Sequence, residues 1–180
     1  SRGPNNDIEA QFAWLLDNDL ISPENKKWLI EKGYATQIGK RWLVEVSDRF
    51  VAINSGTTRD GNSLKAPLDA IRKQGLIPKG MLPALASMDW AEYHDPASIT
   101  DEMRELGEEF VERFTINYEK VFEISYSTIL RKEMIVVAGY AWAQPVNGEY
   151  PRTGNQPNHC FLLHKTPRFY AFDNYIDEID

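Results

Sequence analysis

The chain has 180 residues, 42% hydrophobic and 26% charged, a length and composition that suit one globular domain around a single core. Five Trp, eight Tyr and eight Phe exclude a disordered chain, and a net charge of -7 argues against non-specific binding to nucleic acid or anionic membranes. Its single cysteine forms no internal disulfide, and with no signal peptide and no apolar run near the roughly 20 residues of a bilayer span, the expectation is a soluble protein.

The first half reads as helical. Ile8, Phe12, Leu15 and Leu16 fall on one face of a helix that begins within a few residues of the N-terminus. Ser22-Pro23-Glu24 supplies an N-cap and a proline at the first helical position, and Gly33 closes that helix. Ser47 caps a short helix over SDRFVAIN, ending before Gly56. Ser63 caps another, SLKAPLDAIRKQ, stopped by Gly75, with Pro67 in or near its first turn. GLIPKGMLP, with two glycines and two prolines, reads as a loop. Thr100-Asp101-Glu102 starts the longest helix, which buries Met103, Leu106, Phe110, Val111 and Phe114. Trp14, Trp28, Trp42 and Trp142 are core candidates.

From about residue 121 the character changes. FEISYSTI and EMIVVAGYAWAQ are rich in β-branched and aromatic residues, and HCFLLH and FYAFDNY are short strand-like runs divided by Lys165-Thr166-Pro167. Helices followed by strands predict an α+β fold of one domain, 1–180. The helical part covers about 1–118 and packs on an antiparallel β part over about 119–180.

The last two runs bear on chemistry. A three-residue loop at 165–167 pairs 164 with 168 and sets His159 opposite Asp173, with β-carbons about 4.5–5.5 Å apart. A carboxylate there fixes the imidazole tautomer, as a catalytic base requires. A two-residue loop brings Asn174 opposite instead, a residue equally suited to the task. Cys160 follows His159 directly, so strand alternation sends it to the other face, where His159 cannot activate it. The bland alternative is that His159 is a half-buried sheet residue and Asp173 a surface one.

The order of these features resembles the papain-like cysteine peptidases, in particular the divergent branch encoded by bacteriophages. NNDIEAQF is similar to the second half of that family's central helix, with Glu9 at its acidic position, and VSDRF to its Ser-Glu-Gln helix start. GTTRDGNSLKAPLDAIRKQGLIPKGMLP resembles the stretch of paired glycines, a helix and Gly-Ile/Leu-x-Pro. PNHCFLLHK is similar to the histidine strand and AFDNY to the strand of the orienting Asn or Asp. The resemblance implies peptide or isopeptide hydrolysis without a cofactor, a His159–Asp173 pair, and Gly61 and Asn62 along the substrate cleft. It implies a peptide or protein as substrate or partner, virion proteins among the candidates, with a virion-associated or cytoplasmic location.

One departure is large. The resemblance puts the nucleophilic cysteine about ten residues before Glu9, ahead of Ser1, and the oxyanion Gln further upstream still. SRGPNN does not match the expected Cys-Trp-Ala-Phe type of sequence, and Gly3-Pro4 suits the middle of a helix poorly. Without a thiolate the His-Asp pair has nothing to activate, so these 180 residues alone are expected to be inactive. Ser1 lies nearest the expected position, but at a terminus that frays. A catalytically inactive papain-fold binding or structural protein, such as a phage virion component, is the competing reading. The three histidines, His94, His159 and His164, form no zinc pattern, and no metal or cofactor is expected. The carboxylates of DEMRELGEEFVE read as a solvated helix face, and Asp60-Gly61-Asn62 is first of all a turn.

Overall fold

A computed structural model describes residues 2–59, 61–119, 134–139, 146–147, 159–165 and 169–172. The chain divides into two compact units, Ser1–Glu119 and Lys120–Asp180. The described residues are mixed α and β, with both sheets antiparallel.

The first unit opens with α1 (Arg2–Asp17), α2 (Pro23–Glu31) and a hairpin of β1 (Ala35–Ile38) and β2 (Arg41–Val44). It continues through α3 (Asp48–Asn54), α4 (Lys65–Gln74), the short α5 (Trp90–Tyr93), a 3-10 turn at Pro96–Ser98 and α6 (Asp101–Arg113). The helix starts follow side-chain chemistry. The hydroxyls of Ser22, Ser47 and Thr100 accept from the N–H groups of Asn25, Phe50 and Met103, which pairs donors that the first helical turn leaves orphaned. At α4 the hydroxyl of Ser63 accepts from Ala66 N at 3.0 Å, although the helix proper starts only at Lys65. Gly3 and Pro4 lie inside the first turn of α1, where proline's missing N–H has no carbonyl to bond.

The core is aromatic. Phe12 of α1 meets Phe110 and Phe114 at ring separations of 5.8 and 5.0 Å, and Trp28 stacks on Tyr34 at 5.0 Å. Offset and edge-on rings of this kind add to plain area burial. Ile8, Phe12 and Leu16 are buried, whereas Leu15 is only half-buried, as are Val111 and Phe114. Trp14 is 48% exposed rather than core, because it lies about 200° around the helix from Phe12. Trp42 packs partly buried on the core, and Trp142 lies outside the described residues. The proline- and glycine-rich loop after α4 runs beside residues 45–47. Ser47 N donates to Ile77 O and Lys79 N to Glu45 O, and Leu76 and Ile77 are fully buried.

Two glycines let α4 end against α6. Gly75 has φ +73°, and a β-carbon there would lie 1.9 Å from Gly107 O; one on Gly107 would lie 2.2 Å from Gln74 O. That close approach explains a glycine in the middle of α6.

In the second unit, β3 (Met134–Gly139), β4 (His159–Lys165) and β5 (Phe169–Phe172) form one sheet in the order β3-β4-β5. FEISYSTI lies outside the described residues. The hairpin register differs from the expected one. Lys165 pairs with Phe169 and His164 with Tyr170, so the ladder is displaced by two residues from a pairing of 164 with 168. Lys165 thus belongs to the strand rather than to the turn that its neighbours Thr166 and Pro167 suggest in the sequence.

Candidate functional site

Three clusters carry the groups singled out in the sequence. The first is the seam between α1 and the chain from Glu45 to Asp48. Asn5, Glu9, Phe12 and Leu16 recur at helical spacing, so the helix turns two polar and two apolar side chains to one side. Glu9 Oε1 accepts from Val46 N at 2.7 Å, and Asn5 Nδ2 donates to Asp48 Oδ1 at 2.8 Å. Asn5 is fully buried, and its Oδ1 has no donor. Burial pushes the Glu9 carboxyl up to about 7, and the carboxylates of Asp48 and Glu45 add to the rise. The Val46 N–H and the Lys79 ammonium oppose it. Asp7 is also raised by burial, against a hydrogen bond with Gln11. NNDIEAQF and VSDRF therefore meet in the fold. No sequence motif marks Asn5, and its i,i+4 spacing to Glu9 is the available signal.

The second cluster is the loop between α3 and α4, which carries Gly61 and Asn62. Thr58 and Gly61 exchange backbone hydrogen bonds at 3.2 and 3.0 Å. Gly61 has φ +99° with open space where a β-carbon would project, so conformation rather than crowding demands glycine. The Asn62 amide nitrogen lies 3.1 Å from each of Ser55 O, Ser55 Oγ and Thr57 Oγ1, and Asn62 Oδ1 accepts from Ser63 N at 2.8 Å. Asn62 thus ties both ends of the loop together.

The third is the sheet of the second unit. His159 begins β4 opposite Gly139, Cys160 follows it opposite Ala138, and His164 lies between Met134 and Tyr170. Asp173 and Asn174, the two candidate orienters, and Ser1 lie outside the described residues. The pairing on which the opposition of His159 and Asp173 was counted is not the one made. The displacement is even, so it preserves the alternation of faces along β5.

Among the described residues no group of three or more His, Cys, Asp or Glu could hold a metal ion. His94 is engaged locally, its Nδ1 3.0 Å from Trp90 O and its ring stacked on Trp90. In α6, most carboxylates are solvated, but Glu109 accepts from the Trp28 indole and from Arg113 Nε and pairs with Lys32. Burial raises its carboxyl, and these donors more than offset that, leaving it below the usual range. No helix among the described residues is long and apolar enough to cross a membrane. Compared with protein-family models, curated proteins and solved structures, the chain matches none.

Proposed function

We infer that the chain is a papain-like cysteine-peptidase domain, an α+β scaffold for peptide or isopeptide hydrolysis. His159 is its general base, Asp173 (or Asn174) the orienter, and Gly61 and Asn62 border the cleft. The observation that carries this reading is the seating of Asn5 and Glu9 of α1 on Val46 and Asp48. That contact brings together the two stretches that resemble the family's central helix and its Ser-Glu-Gln helix start. The glycine loop, a further helix and an antiparallel strand headed by histidine then follow in the same chain order. Chemically, a histidine base needs a thiolate within hydrogen-bond reach. Cys160 neighbours His159 on one strand, and successive strand positions belong to opposite faces of a sheet.

That adjacency favours a second reading for these 180 residues by themselves: a papain-fold binding or structural protein, with virion proteins among its partners. One experiment separates the two. A longer polypeptide carrying whatever its reading frame encodes before Ser1 is treated with an E-64-type epoxide and assayed on peptide substrates. Labelling at a cysteine upstream of Ser1, with turnover lost on His159→Ala, supports the peptidase. Neither labelling nor turnover leaves the binding protein.

A further inference from the structure

We propose that Arg59 is the anion-recognising group of the cleft that Gly61 and Asn62 border, so that the domain selects a peptide with an acidic side chain beside this loop. The proposal rests on the reading of that loop as a cleft wall. Two segments distant in sequence position the cation. Thr58 and Gly61 close a tight turn with a pair of backbone bonds, which leaves Arg59 exposed at its tip. Asn62 staples the base of that turn to Ser55 and Thr57. The Arg59 guanidinium carbon lies 5.6 Å from the centre of the half-buried Trp90 ring. The ring is itself held: His94 stacks on it at 3.8 Å, and the buried Arg49 binds Tyr93 O and Glu92 O of the same short helix.

An aromatic ring engages the flat face of a guanidinium and leaves its in-plane N–H fork available. Among the described residues no oxygen accepts from Arg59 and no carboxylate pairs with it. The aspartates flanking Trp90 and His94 are turned to their own backbone, Asp89 to Glu92 N and Asp95 to Ala97 N. A pre-placed cation with an uncommitted fork fits a carboxylate, which it binds through two parallel N–H bonds. Gly61, two residues further on, has open space where a β-carbon would project, which gives a peptide room to pass and bring a Glu or Asp side chain to Arg59.

The test equilibrates the 180-residue chain with two mixtures of octapeptides, capped at both ends and randomised over uncharged residues. One position is fixed as Glu in the first mixture and Gln in the second, and bound peptide is counted by mass spectrometry after ultrafiltration. Glu peptides should be enriched about three- to tenfold over Gln peptides, and less so in roughly 0.5 M salt. Arg59 is exposed, so Arg59→Gln should fold and bring the ratio to about one. Arg59→Lys keeps the charge without the planar fork and should retain only part of the preference. No Glu preference in the wild type, a preference undiminished in Arg59→Gln, or no bound peptide from either mixture would overturn the proposal. An advantage shown only by uncapped Gln peptides, through their terminal carboxylate, would also overturn it. Equal binding of the capped mixtures that is still weakened by Gly61→Val removes Arg59 and leaves the loop a cleft wall, while the epoxide experiment judges the peptidase reading separately.

Discussion

Glu9 and Asp17 cap one edge of β2 and its continuation from eight residues apart on one helix: Asp17 accepts from Trp42 N within the strand and Glu9 from Val46 N two residues past its end, at 2.9 and 2.7 Å. Eight residues of helix rise about 12 Å and four residues of strand about 13 Å, so the two carboxylates keep step with alternate outward N–H groups. Glu45 N, next to Val46, faces the other way and donates to Tyr34 O. A helix thus closes a strand edge that would otherwise invite pairing with another chain. Glu9→Ala, measured at pH 5.5 where Glu9 is largely neutral, should cost about 1–3 kcal/mol by leaving the Val46 N–H unpaired. Asp17→Ala should cost about 1 kcal/mol or less, because water reaches the Trp42 N–H. Urea denaturation checks the order, and equal losses would contradict the difference in burial.

Global stability should depend on pH with a definite sign. Glu9 and Asp7 have folded-state acidities raised by burial. Their contribution is complete below the unfolded carboxylate range and is lost as pH rises, for Glu9 over the span from about 4.5 to about 7. Asp69 is lowered, first by its hydrogen bond with Lys65, and Glu109 is lowered by its donors despite burial. Both act in the opposite sense, but only as pH falls below the ordinary carboxylate range. Between pH 5 and 8 the wild type should therefore lose stability and Glu9→Gln should lose less. A wild type that gains stability across that interval would refute the assignment.

Gly107→Ala should destabilise the first unit by about 1–3 kcal/mol or more, since the added methyl meets the Gln74 carbonyl rather than a movable side chain. In an isolated helix the same change would be favourable, so the sign alone decides. Thermal unfolding of this variant is the measurement, and an unchanged or raised midpoint would mean that α4 and α6 do not approach this closely.

Much of the helical half was legible because its signals are local. Ser22, Ser47 and Thr100 each act on an N–H three residues away, a distance at which sequence order already dictates geometry. The β1–β2 hairpin was not legible. Thr36, Gln37, Ile38, Arg41 and Leu43 are all exposed, so the segment lacks alternating polarity, and what holds it is the carboxylate edge supplied by a helix some 25 to 37 residues away. Trp14 was misplaced by residue type where helical periodicity already excluded it. The β4–β5 register differs by two because counting from a Lys165-Thr166-Pro167 turn leaves Lys165 out of the strand, whereas it pairs with Phe169. Of the candidate site, Glu9, Gly61 and Asn62 carried visible signals, while the burial of Asn5 depends on long-range packing.

Arg49 is buried yet has three neutral acceptors: Tyr93 O at 2.9 Å, Glu92 O at 2.5 Å and Ser98 Oγ at 2.6 Å. It clamps the end of α5 and the following 3-10 turn to α3. Lysine lacks the planar fork needed to reach acceptors on two segments, so Arg49→Lys should cost about 2 kcal/mol. The loss should concentrate in residues 90–99, where limited proteolysis should cut first. Cleavage elsewhere with that segment still protected would contradict a clamp.

The final prediction separates scaffold from contact in the loop at 55–62. Asn62 spends its amide on Ser55 and Thr57 and its carbonyl on Ser63, so its first role is to hold the loop's shape. Asn62→Ala should cost about 1–2 kcal/mol through those unpaired groups and raise loop exchange. Gly61→Ala meets no neighbour but forces an L side chain into φ +99°, for about 1–2 kcal/mol. If a peptide runs beside this loop, a bulkier Gly61→Val should weaken its binding well beyond Gly61→Ala, because only the former fills the open space. Binding of a substrate-derived aldehyde by the two variants, compared at matched stability, is the test. Equal affinities would take Gly61 out of the cleft and leave the loop a purely structural turn.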